Sequence, residues 1–125
     1  MSDTLQIPRH FRTARLEMQK SRRRIKLGAV IVRGGNIIGR GKNDAGGRST
    51  LKGIYGSRST HAEVAAVMSV KDPKNLRGTC IYVYREANRL PANARPCQAC
   101  REFLQAHGIR KMYYTCESGF AVVSL

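Results

Sequence analysis

The sequence has no tryptophan, few aromatic residues and few acidic ones. Aromatic residues make up 6% of its 125 positions, and 8 Asp and Glu stand against 23 Lys and Arg. There is no apolar run long enough to cross a bilayer, and residues 1–20 lack the apolar core of a signal peptide. We therefore expect no membrane association and a reducing compartment, either the cytoplasm or, for a viral protein, the cytosol of its host.

Cysteine is also sparse, with 4 in the chain. Cys97 and Cys100 form a C-x-x-C motif, which in a reducing compartment indicates a metal site or a redox pair. Cys80 lies in an apolar run and is expected to be buried, and Cys116 lies near a predicted turn and receives no role.

The formal net charge of +15 favours anionic partners. Nucleic acid is one candidate and a phosphorylated small substrate is another, although a solvated basic surface explains the charge of many proteins. The Arg and Lys residues are spread along the chain, which fits a broad positive face better than a basic tail.

The length and the hydrophobic fraction of 42% predict a single domain over residues 1–125, with residues 1–7 loosely ordered. Helices are predicted over residues 8–20, 61–70 and 96–106, with Ser59 or Thr60 capping the second. Strands are predicted over residues 27–32, 37–38, 79–84, 109–115 and 120–125. Residues 42–60 and 85–95 are predicted loops. Alternating strands and helices predict a sheet with helices on its faces, and Gly28 inside the first strand predicts a close contact there.

Two short motifs carry the chemistry: His61-Ala62-Glu63 and Pro96-Cys97-Gln98-Ala99-Cys100. His61, Cys97 and Cys100 are three zinc-type ligands, and Glu63 is a spare carboxylate beside them. Both motifs fall at predicted helix starts, where the partial positive charge of the helix favours thiolates. Three ligands leave an open position for water, as catalytic zinc requires.

Such a site predicts hydrolytic deamination of an amino-substituted heterocycle. Zinc lowers the pKa of its water, and Glu63 would move protons between that water, a ring nitrogen and the leaving amine. Two non-hydrolytic explanations of the motifs remain. One is a closed zinc site with a fourth ligand from elsewhere in the chain, namely His10, His107, Cys80 or Cys116, and the other is a thioredoxin-like redox pair.

The chain resembles the cytidine deaminase-like superfamily of zinc-dependent cytidine and deoxycytidylate deaminases over residues 8–125. The likeness rests on the H-x-E and P-C-x-x-C motifs, on residues 27–32 and on Asn43. It implies a three-layer α-β-α sandwich with a five-stranded mixed sheet, which here ends in an antiparallel hairpin. By the same likeness His61, Cys97 and Cys100 bind Zn²⁺, and Glu63 is the proton shuttle. It further implies that Asn43 contacts the sugar, that the backbone of Ala62 contacts the base, and that the protein is a homodimer or homotetramer.

The preferred interpretation is deamination of cytosine to uracil in a nucleoside or nucleotide, with Tyr55 and Arg95 as further substrate contacts from the two loops. The second is a deaminase of cytosine or adenine in single-stranded DNA or RNA, including transfer RNA, held on the basic face. The third is a zinc-stabilised nucleic-acid-binding module without catalysis, which would need neither an open zinc position nor Glu63.

Overall fold

The computed structural model describes residues 7–21, 25–45 and 59–125. Its helices are α1 (Arg9–Gln19), α2 (Ala62–Ser69) and α3 (Gln98–Ala106), and a 3-10 turn spans Pro73–Leu76. The main strands are β1 (Lys26–Arg33), β2 (Asn36–Lys42), β5 (Cys80–Ala87), β7 (Lys111–Cys116) and β8 (Gly119–Ser124). Three short strands are β3 (Asp44–Ala45), β4 (Ser59–Thr60) and β6 (Leu90–Pro91).

The five main strands form one mixed sheet in the order β2-β1-β5-β7-β8. Strand β1 is antiparallel to β2 and β5, while β5 and β7 run parallel because α3 crosses between them. Strands β7 and β8 form an antiparallel hairpin at the end of the chain. The predicted five-stranded mixed sheet with an antiparallel C-terminal hairpin is therefore confirmed, and β6 adds a short sixth strand.

The prediction of a loop over residues 85–95 is wrong for its first half. Strand β5 continues to Ala87 and pairs with β6 through a two-residue turn at Asn88 and Arg89. Both turn residues have positive φ, 52° and 66°, which matches the twist of a tight hairpin. The Arg and Asn residues in this stretch favour a loop in the sequence analysis. The end of β5 is nevertheless extended because it pairs with β6, which lies only a few residues further along the chain.

Alternating residues of the central strands bury opposite faces of the sheet. One core joins α1 to one face and contains Phe11, Ala14, Met18, Val30, Val32 and Tyr84. The other core lies under α2 and α3 and includes Ala29, Ile31, Ile81, Val83, Ala66 and Leu104. Helices on both faces confirm the three-layer sandwich. Within the described ranges, no helix has the length and apolar character needed to span a bilayer.

Two strand glycines let the helices lie directly on the sheet. A Cβ at Gly28 would overlap the carbonyl oxygen of Ala14 and the amide nitrogen of Met18, so this position confirms the predicted close contact with α1. A Cβ at Gly41 would overlap the amide nitrogen of Ala66 and lie 2.6 Å from the carbonyl oxygen of Ala62. Gly41 therefore fixes how closely the start of α2 approaches β2.

Candidate functional site

The starts of α2 and α3 carry the two sequence motifs. His61 is the N-cap of α2 and Cys97 is the N-cap of α3, and both have extended backbone conformations before the helix begins. The predicted capping of α2 by Ser59 or Thr60 is wrong. These two residues form β4, which pairs with β3, so the chain stays extended until His61. The prediction that both motifs open helices is confirmed.

His61, Cys97 and Cys100 converge on one point. Their ligand atoms all lie within 4.8 Å of one another, and His61 Nδ1 lies 3.1 Å from Cys100 Sγ. Around tetrahedral zinc, ligand atoms lie about 3.5–3.8 Å apart, given Zn–S and Zn–N bonds of about 2.3 and 2.0 Å. Two sulfurs and one imidazole at this spacing therefore fit a zinc ion with one position left for a non-protein ligand.

No fourth protein ligand joins this cluster among the described residues. His10, His107, Cys80 and Cys116 are not members of the group. Cys80 is half-buried rather than fully buried as predicted, because its strand position lies at the end of β5. The geometry therefore favours an open zinc site over a closed one.

The carboxyl group of Glu63 is buried beside the cluster, and the residue is 5% exposed. Burial raises the pKa of this carboxyl, while its own backbone amide, His61 and a hydrogen bond with Cys100 act in the opposite direction. Burial also raises the pKa of the Cys100 thiol, and the nearby Glu63 charge adds to that effect. A cation held by the two sulfurs would oppose both effects and favour the thiolate.

These groups line a cavity of about 260 Å³. Besides the cluster and Glu63, its walls are formed by Leu27, Asn43, Ala62, Arg85, Asn93, Ala94 and Arg95. Three of the predicted substrate contacts, Asn43, Ala62 and Arg95, thus lie in the walls. The fourth, Tyr55, lies outside the described residues.

Asn43 is fastened to the start of β1 by both its backbone and its side chain. Its Oδ1 accepts a hydrogen bond from the Leu27 amide at 2.8 Å, and its Nδ2 donates to the Ile25 carbonyl at 2.6 Å. The Ser21 hydroxyl donates to the Asn43 carbonyl at 2.9 Å. Within the described ranges, one N–H and one lone pair of the amide are left for a ligand.

A buried threonine, which the sequence did not single out, fixes the chain segment that leads to Cys97. Thr115 Oγ1 donates to the Ala92 carbonyl at 2.7 Å and accepts from the Arg85 amide at 3.0 Å. The Thr115 carbonyl accepts from the Ala94 amide at 2.8 Å. These bonds join β7 to β5 and to the segment 92–94. Thr115 lies 23 residues from Ala92 and 30 from Arg85 in the sequence, so no local pattern could have revealed them.

The model of the cytidine and deoxycytidylate deaminase zinc-binding region matches residues 5–116 of this sequence. The chain belongs to the cytidine and deoxycytidylate deaminase family. The match covers most of the chain and includes both motifs, so the resemblance inferred from the sequence is confirmed. The family and the His-Cys-Cys donor set together identify zinc as the cofactor of this deaminase.

Solved structures of deaminases share the fold. The apo dCMP deaminase of cyanophage S-TIM5 is 26% identical, with a TM-score of 0.64 over 84% of this chain and 78% of that chain. The same phage enzyme in complex with dCMP and dUMP gives 24% identity and a TM-score of 0.60 over 82% and 75% of the two chains. The cytidine deaminase of Burkholderia pseudomallei is 22% identical, with a TM-score of 0.68 over 92% and 89% of the two chains. A comparison with curated protein sequences gives no match.

Proposed function

We propose that this protein deaminates cytosine to uracil in a free nucleoside or nucleotide. The observation that carries the proposal is the convergence of His61, Cys97 and Cys100 within 4.8 Å in the cavity that also holds Glu63. Family membership supports the reaction type. The structures of related enzymes named for dCMP and cytidine support the substrate class.

In the proposed mechanism, His61, Cys97 and Cys100 hold the zinc ion. When bound, zinc makes a water molecule acidic enough to attack at neutral pH. Glu63 would accept a proton from the attacking water and deliver it to the ring nitrogen next to the reacting carbon. It would then pass the hydroxyl proton of the addition product to the amine, which leaves as ammonia.

Wall residues would orient the base and the sugar. Ala62 is the first residue of α2, so its backbone groups lie at the cavity end of the helix, and its side chain leaves room for a flat ring. We assign the base contact to Ala62 and the sugar contact to the remaining donor of the Asn43 amide. Arg95 is exposed at the cavity rim and is assigned to the outer part of the substrate.

A free substrate fits the described site better than a single strand of DNA or RNA. No Phe, Tyr or Trp is among the described residues of the cavity wall, whereas proteins that hold single strands stack bases on aromatic rings. The aromatic side chains Phe11, Tyr82, Tyr84 and Phe120 instead belong to the core on the α1 face of the sheet. A non-catalytic zinc module would have no use for a carboxylate buried at the metal site.

The variant Glu63→Gln tests the mechanism. We expect deamination of cytidine, deoxycytidine or their monophosphates to fall by about 10²–10⁴-fold, the usual contribution of a proton-transferring group. Zinc content and the unfolding midpoint should stay at wild-type levels. Glu102→Gln, an exposed position on α3, is the matched control and should retain activity.

The substrates are compared in the same assay by counting uracil product. Equal turnover by Glu63→Gln and wild-type protein would show that the assigned mechanism is wrong. Turnover of a short single-stranded oligonucleotide, with none of the free nucleosides or nucleotides, would show that the assigned substrate is wrong.

A further inference from the structure

We propose that Arg85 binds the phosphate of a cytosine nucleoside monophosphate at the opening of the cavity. The proposal rests on the proposed function, because the zinc cluster and Glu63 determine where the base lies. It adds the substrate class, a monophosphate rather than a nucleoside, and the residue that recognises it.

Arg85 lies where two cavities meet. It lines the site cavity of about 260 Å³ and also a neighbouring groove of about 530 Å³ between the β5–β6 hairpin and the β7–β8 turn. Asn93 is the other residue shared by the two walls. A substrate whose base lies at the zinc cluster would therefore extend its outer end towards Arg85.

The guanidinium of Arg85 has unused donors. Nη1 donates to the Asn93 carbonyl at 2.9 Å, whereas Nε is buried and has no acceptor among the described residues. None of the ion pairs within the described part of the chain involves Arg85. Partial burial of a cation that has no described carboxylate partner favours an anion beside it, and a phosphate accepts the two parallel bonds that a guanidinium can donate.

The charges in the cavity wall support the same position. Its described wall contains two arginines, Arg85 and Arg95, and one carboxylate, Glu63, which lies at the zinc cluster. The groove beyond Arg85 contains a second carboxylate, Glu117. We therefore place the phosphate on the cavity side of Arg85, close to Arg95 and away from Glu117.

The backbone holds both arginines at this opening. The Arg85 amide is bound by Thr115 Oγ1 at 3.0 Å, and the Arg95 amide donates to Asn93 Oδ1 at 2.9 Å. Asn93 thus contacts Arg85 through its carbonyl and Arg95 through its side chain. No ion pair between described residues involves either arginine, so both charges are available to a ligand.

Paired substrates and two variants test the proposal. Zinc-loaded wild-type, Arg85→Gln and Arg85→Lys proteins are assayed with deoxycytidine and dCMP, and with cytidine and CMP. For Arg85→Gln we expect KM for the monophosphates to rise roughly 10- to 100-fold, the range of a lost charge-assisted hydrogen bond, with KM for the nucleosides nearly unchanged. For Arg85→Lys we expect a smaller rise in KM for the monophosphates, because lysine keeps the positive charge but cannot donate two parallel hydrogen bonds.

Arg110→Gln is the matched control, since Arg110 is exposed and lines neither cavity. It removes the same charge and should leave both KM values unchanged. The unfolding midpoint of each variant is measured as well, because Arg85→Gln also loses the bond to the Asn93 carbonyl. Calorimetric binding of dUMP and deoxyuridine gives a readout that does not depend on turnover.

The proposal would be overturned if Arg85→Gln raised KM equally for nucleosides and monophosphates. It would also be overturned if the wild-type protein bound deoxyuridine as tightly as dUMP. Oligonucleotide turnover that depends on Arg85, with no preference for monophosphates, would also overturn it. If wild-type protein deaminated none of the four substrates, the proposed function would fail. The dUMP binding data would still decide whether Arg85 recognises phosphate.

Discussion

Replacing Thr115 by valine tests how the fold holds the segment that precedes Cys97. Thr115 is fully buried, at 0% exposure, and valine keeps its shape while removing the hydroxyl. The change removes a donor to the Ala92 carbonyl at 2.7 Å and an acceptor for the Arg85 amide at 3.0 Å. Each lost hydrogen bond amounts to about 1 kcal/mol, and each buried group left without a partner adds more, so we expect about 2–4 kcal/mol lower stability.

Urea denaturation followed by circular dichroism measures this loss. With a mid-range slope of about 2 kcal/mol/M, the midpoint should fall by about 1–2 M. Residues 92–94 then lose the Thr115 hydroxyl as a partner, although the Ala94–Thr115 and Ala92–Arg85 backbone bonds and the bond from Arg85 Nη1 to the Asn93 carbonyl remain. Because this segment leads to Cys97, we also expect faster zinc release to a chelator. Replacing a group that supports metal ligands indirectly usually lowers metal affinity by on the order of 10-fold.

Thr79→Val provides the matched control. Thr79 is 1% exposed and its Oγ1 donates to the Leu76 carbonyl at 2.6 Å. It lies just before the start of β5, whereas Arg85 of the cavity wall lies near the other end of that strand. The Thr79→Val variant should be less stable to urea but should release zinc as slowly as the wild type. Thr115→Ser should have both the stability and the slow zinc release of the wild type. If Thr115→Val were as stable as wild type, or if both valine variants released zinc equally fast, the assigned role of Thr115 would be refuted.

Two further variants probe the packing on each face of the sheet. Gly41→Ala would place a methyl group against the backbone of α2 at Ala62 and Ala66. We expect the free energy of unfolding, measured by urea denaturation, to fall by about 1–3 kcal/mol, and deamination to fall by a larger proportion. Full activity would contradict this placement of α2. Burial, with the nearby Glu86 charge, raises the pKa of Tyr84 to about 12 from an ordinary value of 10.0. The folded state then keeps this proton while the unfolded state loses it, so stability falls as pH rises from 10 to 12, by up to about 3 kcal/mol. Tyr84→Phe should remove that part of the pH dependence, and identical slopes for the two proteins would show that Tyr84 does not cause it.

The strongest sequence predictions were local ones. Helices over 8–20, 61–70 and 96–106 and the two hairpins follow from periodicity and turn residues within short windows, and the structure has them at nearly these positions. His61 and Cys97 were placed at helix starts because a cap depends on a few neighbouring residues. The errors were local too: pairing of β4 with β3 moved the cap of α2 to His61, and pairing of β6 with β5 replaced a predicted loop.

The sequence by itself determined the chemistry of this deaminase, because its zinc-type ligands and its carboxylate occur in two short motifs whose residue types limit the reaction. Only the tertiary structure decided what surrounds that chemistry. Arg85, Asn93 and Thr115 come from β5, the following segment and β7, and they meet because β5 and β7 are neighbours in the sheet. Such contacts depend on the pairing of strands about 30 residues apart, as with Arg85 and Thr115. Local patterns carry no information about that pairing, so the part of the cavity wall formed by Arg85 and Asn93 had to be read from the fold.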